Sequence, residues 1–329
     1  MPELPEVETV RRTLAAALTG AVIRRVSVRA RDVIGRPDPE TFAVELAGAT
    51  FAAWGRRGKY LLLRLEPGPQ VLVVHLRMTG RLLLADRTEP EPPHTHVVFD
   101  LEDGRVLRFA DVRRFGRLYL FAGGELPARI AEAAGVVDAV TGTVADAPPT
   151  GARPADAPRA DAPPADAQPT DPSPPAGAPP GLFTLGPEPL SRGFSGRWLA
   201  GRCLGRRAPI KAVLLDQRVV AGLGNIYVDE ALFRAGIHPA RAAGDLRPED
   251  FRRLVRAVRA VLRLAVKRRG TTLSDYVDGR GRPGQMRAHL AVYGRAGEPC
   301  RRCGGPVSRT RVAGRGTHFC PRCQPAAGD

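Results

Sequence analysis

Two cysteine pairs, Cys300 and Cys303 in CRRC and Cys320 and Cys323 in CPRC, stand sixteen residues apart. Tetrahedral zinc takes four thiolates from two tight turns, and this repeated C-x2-C spacing supplies them. Four protein ligands leave no open position, so one structural zinc is expected. His318 lies beside the second pair, but the thiols already complete the set. The stretch between the pairs, GGPVSRTRVAGRGTHF, reads as a β-hairpin with Arg315 at its tip, a cation placed to meet phosphate. The fifth thiol, Cys203, is unpaired and reads as a small packing residue. At the other end, MPELPEVETV gathers Glu3, Glu6 and Glu8 directly after Pro2. Carboxylates suit the positive end of a helix and proline is tolerated in its first turn. By residue type alone these are helix-start residues as readily as acid–base groups.

The elements that must carry these residues follow from patterning. Leu4, Val7, Val10, Leu14 and Leu18 share one face of a helix over 4–18, with Gly20 placed to end it. From Val22 to about Phe121 the chain breaks into short apolar runs such as YLLLRLE, QVLVVHLRM and RLYLFAG, split by turns such as EPGPQ and EDGR. Many short strands at this spacing predict a β-sandwich or barrel-like domain. Residues 137–181 are Ala, Pro, Asp, Thr and Gly with ADAP recurring, which predicts a disordered, partly polyproline-like insertion. Helical spacing returns in APIKAVLLDQ and GNIYVDEALFRAGI, joined by the Gly-rich AGLGN. A long helix is predicted from Pro248 to just before Gly270, with Phe251, Leu254, Val258, Val261, Leu262 and Ala265 on its apolar stripe. A second face of that helix carries Arg253, Arg256, Arg263 and Arg268, as suited to solvent as to a polyanion. The fold class is multidomain α+β. Residues 1–124 form an N-terminal helix and β-sandwich, 125–186 an inter-domain linker holding the insertion, 187–290 a helical domain and 291–329 a zinc hairpin.

Charge narrows the function. The 329 residues carry 50 Lys+Arg against 34 Asp+Glu, a net +16, which calls for a polyanionic partner such as nucleic acid. The insertion holds six Asp and two Arg, so the rest of the chain is more basic still. Lysine occurs only at Lys59, Lys211 and Lys267. No apolar stretch reaches the roughly 20 residues that span a bilayer. The acidic start does not look like a secretion signal, so a cytoplasmic protein is expected, one whose cysteines bind metal rather than pair as disulfides.

Several segments together resemble the bacterial formamidopyrimidine-DNA glycosylase family: MPELPEVETV, GRRGKYLLL, DVRRFG, LGPEPLS, GLGNIYVDEALFRAGIHP, VYGRAGEPC and GRGTHFCPRCQ. They occur in the family's order and cover nearly everything except about 125–181. The resemblance implies a helix–two-turn–helix motif in the helical domain and a monomer that acts on duplex DNA. The implied activity is excision of oxidised purines, 8-oxoguanine and formamidopyrimidines, followed by β,δ-elimination at the abasic site.

The resemblance also implies roles. Removal of the initiating Met would free Pro2 as a secondary amine, and an α-amino group titrates near 7.7–8 against about 10.4 for Lys. Pro2 then attacks C1′ and forms a Schiff base. Glu3 shuttles protons and Glu6 organises the site. Lys59, in the turn RRGKY, binds the lesion's phosphate, and Arg315 clamps phosphate for δ-elimination. Glu8 is expected to be a solvated helix residue. Met78, Arg113 and Phe115 match the wedge that fills the gap left by a flipped nucleotide, and Arg113 reads the opposite base. The chain has DVRRFG where the family has DPRRFG. His94, Arg206, Lys211, Asn225 and Tyr227 are implied DNA contacts, and 271–287 falls at the family's lesion-sensing loop. The alternatives are an endonuclease VIII-like enzyme for oxidised pyrimidines, a non-catalytic zinc-hairpin DNA-binding protein, and a zinc-ribbon adaptor.

Overall fold

A computed structural model describes residues 2–135, 174–179 and 181–326. Helix α1 (Leu4–Leu18) opens the chain, and its register explains its place. Val7, Val10, Leu14 and Leu18 enter the core of the β-sandwich, whereas Leu4 enters the core of the helical domain. One apolar stripe therefore joins two domains, and burying a leucine fully contributes about 1.5–3 kcal/mol.

The sandwich has two sheets. The first runs β2 (Ile34–Arg36), β9 (Arg117–Phe121), β5 (Val71–His75), β4 (Tyr60–Glu66), β3 (Thr50–Arg57). The second runs β1 (Ile23–Val28), β7 (Thr95–Leu101), β8 (Arg105–Ala110), β6 (Arg81–Asp86). All pairs are antiparallel except β2 with β9. The all-strand expectation for 22–121 needs one correction. Helix α2 (Pro39–Leu46) interrupts it, capped by Asp38, whose carboxylate accepts from the Glu40 and Thr41 amides. Pro at its first position and Asp before it are helix-start signals that the surrounding strand runs obscured.

The linker expectation for 125–186 also changes at both ends. Helix α3 (Ala128–Ala133) and residues 182–185 bury Leu126, Ile130, Leu182, Phe183 and Leu185 against the outer face of the first sheet, on Leu62, Val73 and Phe121. The fit is close: a Cβ at Gly55 would lie 1.7 Å from the Ala133 carbonyl oxygen. Apart from 174–179 and 181, the insertion expected at 137–181 lies outside the described residues.

The helical domain comprises α4 (Gly196–Cys203), α5 (Ile210–Leu215), α6 (Asn225–Ala235) and α7 (Pro248–Lys267). Its core includes Leu199, Ile210, Leu214, Tyr227, Leu232, Leu254 and Leu262. Of the arginines expected on the free face of α7, Arg253 instead bonds the Ala235 carbonyl and Asp250, and Arg268 is half-buried. The last module is a hairpin of β10 (Ser308–Val312) and β11 (Arg315–Phe319), turned by Ala313 and Gly314 at φ 49° and 72°. Two left-handed residues in a two-residue turn match the twist of the flanking strands. No helix among the described residues is long and apolar enough to cross a membrane.

Candidate active site and nucleic-acid interface

The N-terminus of α1, the N-terminus of α6 and the β3–β4 turn meet at one buried point. Pro2 is buried there. Glu3 Oε1 accepts the Ile226 amide of α6 at 3.0 Å, and its Oε2 is buried without a partner. Gly224 makes room, since a Cβ there would lie 2.4 Å from Glu3 Cδ. Burial pushes the Glu3 carboxyl up to about 7, with the Lys59 charge opposing and Glu6 reinforcing the shift. At neutral pH such a group both takes and gives protons.

Glu6 ties the point together. One oxygen accepts the Glu3 amide at 2.9 Å; the other accepts the Thr271 amide at 2.7 Å and the Tyr227 hydroxyl. Burial raises its pKa as well, against the pull of the Tyr227 hydrogen bond. Glu8 departs from expectation. It is buried and bonded to Arg11, Arg12 and Arg56. Burial works to raise its pKa, but these partners win and hold it down at about 2.

Lys59 is buried. Burial lowers its pKa; the charges of Glu3 and Glu6 oppose this and Arg315 adds to it. Its turn is pinned from the far domain. Glu188, in LGPEPLS, accepts the Gly58 amide at 2.6 Å and pairs with Arg56 at 2.8 Å and Arg57 at 3.0 Å. The sequence reading gave Glu188 no role, because nothing local shows that it faces residues 130 positions away.

A second residue was missed. His75 ends β5 buried, with its ring edge-on to Tyr60 at 4.4 Å and its Nδ1 accepting the Arg77 amide at 3.1 Å. Burial, then the Arg77 and Lys59 charges, push its pKa down to about 3, so it is neutral with Nε2–H as donor. A lone histidine closing an apolar strand was the available signal.

The wedge candidates do come together. Met78 and Phe115 are 43% and 52% exposed. The Arg113 guanidinium approaches Met78 Sδ at 3.3 Å and stands over the Phe115 ring at 5.8 Å. Buried Asp111 shapes their loop, accepting from the Arg113 amide at 3.1 Å, the Gly116 amide at 2.7 Å and the Thr79 hydroxyl. A cleft of about 610 Å³ runs from Met78 and Phe115 past Arg77 and Arg117 to Arg315. His94 and Arg206 are exposed.

Two expected DNA contacts are corrected. Lys211 is fully buried, paired with Asp229 at 2.6 Å. Tyr227 is fully buried, its hydroxyl on Glu6 and on Thr271 Oγ1 at 2.9 Å. Asn225 directs Nδ2 to the Gly316 carbonyl at 3.0 Å, leaving Oδ1 without a partner. The 271–287 segment is tied to the sandwich at both sides: the Leu84 amide donates to Gly279 O, and the Gly279 amide to Thr13 Oγ1.

The four cysteine sulfurs converge. Cys300 and Cys323 Sγ lie 3.9 Å apart, Cys303 and Cys320 Sγ 3.5 Å. Tetrahedral zinc with Zn–S near 2.3 Å needs edges of about 3.8 Å, so these thiols fit one structural zinc.

The comparisons agree with this geometry. Residues 1–118 match the formamidopyrimidine-DNA glycosylase N-terminal domain, 185–277 its H2TH domain, and 297–326 the zinc finger found in FPG and IleRS. A formamidopyrimidine-DNA glycosylase of Symbiobacterium thermophilum is 49% identical over 99% of this chain and 90% of its own. The chain belongs to the formamidopyrimidine-DNA glycosylase family. The family's Moorella thermoacetica member is 48% identical over 94% of this chain and 95% of its own. Among solved structures, the Lactococcus lactis Fpg bound to DNA with an abasic site has a TM-score of 0.78 at 31% identity, covering 98% of this chain and 100% of that one. A glycine-to-proline variant of the same protein, bound to DNA containing Fapy-dG, has a TM-score of 0.77 at 31% identity, covering 99% and 100%.

Proposed function

We propose that this base-excision-repair glycosylase removes oxidised purines from duplex DNA and then cuts the abasic strand, working in the cytoplasm on nucleoid DNA. The Pro2 amine, freed by loss of Met1, attacks C1′. The C1′–N9 bond breaks and the base leaves with the bonding pair, taking up at N9 the proton that the Pro2 nitrogen gives up. Glu3 protonates O4′ as the sugar ring opens, leaving an iminium between Pro2 and C1′. Loss of a C2′ proton breaks the C3′–O bond, and loss of a C4′ proton then breaks the C5′–O bond. Lys59 and Arg315 offset the phosphate charge that these steps release. Met78, Arg113 and Phe115 fill the stack once the nucleotide is out. His94, Arg206 and Asn225 hold the backbone.

The observation that carries the reading is the Glu3 carboxyl: buried beside Pro2, near-neutral in pKa, with one oxygen unpartnered. Borohydride trapping on an 8-oxoguanine·C duplex tests it. The wild type is expected to form a covalent adduct and Pro2→Gly to lose most of it; a wild type that never traps refutes the reading. A solved relative holds DNA with an oxidised pyrimidine, so a thymine-glycol duplex belongs in the same experiment. Equal or faster excision there would favour the endonuclease VIII-like reading.

A further inference from the structure

We propose that Lys211 is a positioning residue that sets the angle of the zinc hairpin, and so aims Arg315 at the phosphate released in the second elimination. The inference rests on the role given to Arg315 above, and assigns Lys211 a task other than touching DNA. A buried ammonium is costly unless its N–H groups find acceptors. Lys211 Nζ has three: Asp229 Oδ1 at 2.6 Å, Thr317 Oγ1 at 2.8 Å and the Gly316 carbonyl at 3.0 Å. Two of the three are the residues that directly follow Arg315.

The neighbouring bonds point the same way. Thr317 Oγ1 donates to the Arg315 carbonyl at 3.0 Å. The second Asp229 oxygen accepts the His318 amide at 2.8 Å. Asn225 Nδ2 shares the Gly316 carbonyl. Residues 315–318 are thus fastened to α5 and α6 through one ammonium and its counter-ion, while the Arg315 side chain stays exposed at the cleft. The hairpin does not need this for its own fold. Its ladder, from Ser308 with Phe319 to Val312 with Arg315, and its four thiols are internal to it. What Lys211 fixes is its orientation, and a misplacement of about 1 Å at a reacting centre can cost on the order of 100-fold.

The test uses the full-length zinc protein on a duplex with a preformed abasic site. It measures borohydride trapping together with the ratio of 3′-phosphate (δ) to 3′-unsaturated aldehyde (β) product. Thr317→Val removes one acceptor and leaves the Lys211–Asp229 pair; Lys211→Gln removes the charge. Both are expected to keep bound zinc and trapping within about threefold of wild type, while the δ/β ratio falls at least about fivefold, in the direction of Arg315→Ala. If Lys211→Gln loses its zinc, Thr317→Val decides. A zinc-loaded Thr317→Val with the wild-type ratio overturns the proposal, as does a δ loss that only tracks a loss of trapping. A wild type that neither traps nor yields δ product would instead overturn the proposed function.

Discussion

Tyr227 donates its hydroxyl to Glu6 across the domain junction, linking positions 221 residues apart. The contact makes α6 the hub of the site. From one helix the Ile226 amide reaches Glu3, Tyr227 reaches Glu6, and Asn225 and Asp229 reach the zinc hairpin.

Tyr227→Phe is expected to leave buried Glu6 short of a donor and to cost about 1–3 kcal/mol in denaturant unfolding. Affinity for an undamaged short duplex should stay the same, because the phenol is buried away from phosphate. Weaker duplex binding with unchanged stability would restore the phosphate-contact role.

Glu3 makes stability depend on pH with a definite sign. Its pKa is 4.5 in an ordinary setting and about 7 here. The folded chain holds this proton more tightly than the unfolded chain, so its contribution is complete below 4.5 and is lost as pH rises through 7. Glu3→Gln should therefore raise stability at pH 8 relative to wild type by about 3 kcal/mol, and should show little gain at pH 4.5. Excision should be lost at both. Thermal unfolding at the two pH values checks this, and an equal shift at both would contradict it.

Gly224→Ala tests the space at the α6 terminus. At Gly224 φ is −140°, so alanine is conformationally free, but its methyl overlaps the Glu3 carboxyl. The variant should fold, with unfolding within about 2 kcal/mol of wild type, yet lose at least about tenfold in single-turnover excision. Wild-type excision would mean that Glu3 can move without consequence.

Stripping zinc with a chelator should release one ion per chain and weaken duplex binding by at least about tenfold, since the four thiols beside the hairpin that carries Arg315 lose their common ligand. The β-sandwich, with its own core, should keep its strand signal in circular dichroism. Undiminished binding by the zinc-free chain would remove the hairpin from the interface.

Much of this was legible in the sequence. The α1 stripe, the α7 bounds and the four-cysteine set each rest on a local period or spacing. The resemblance of motifs pointed to Pro2, Glu3, Lys59 and Arg315; the structure buries the first three and leaves Arg315 at the cleft. The failures have a common cause. Glu188, Lys211 and Tyr227 take their roles from partners far along the chain, and residue type shows neither burial nor partner. The resemblance of motifs implied a DNA contact for Lys211; only tertiary structure reveals Asp229 and Thr317 closing around it. Helix α2 was hidden by apolar strands on both sides, and the packed ends of the linker by the composition of its middle.

The central claim concerns one nitrogen, and peptide mapping of the borohydride-reduced adduct tests it most directly. The account predicts a reduced deoxyribose remnant on Pro2, in a chain whose first residue is that proline. A remnant on Lys59, or an active chain that still carries Met1, would contradict it.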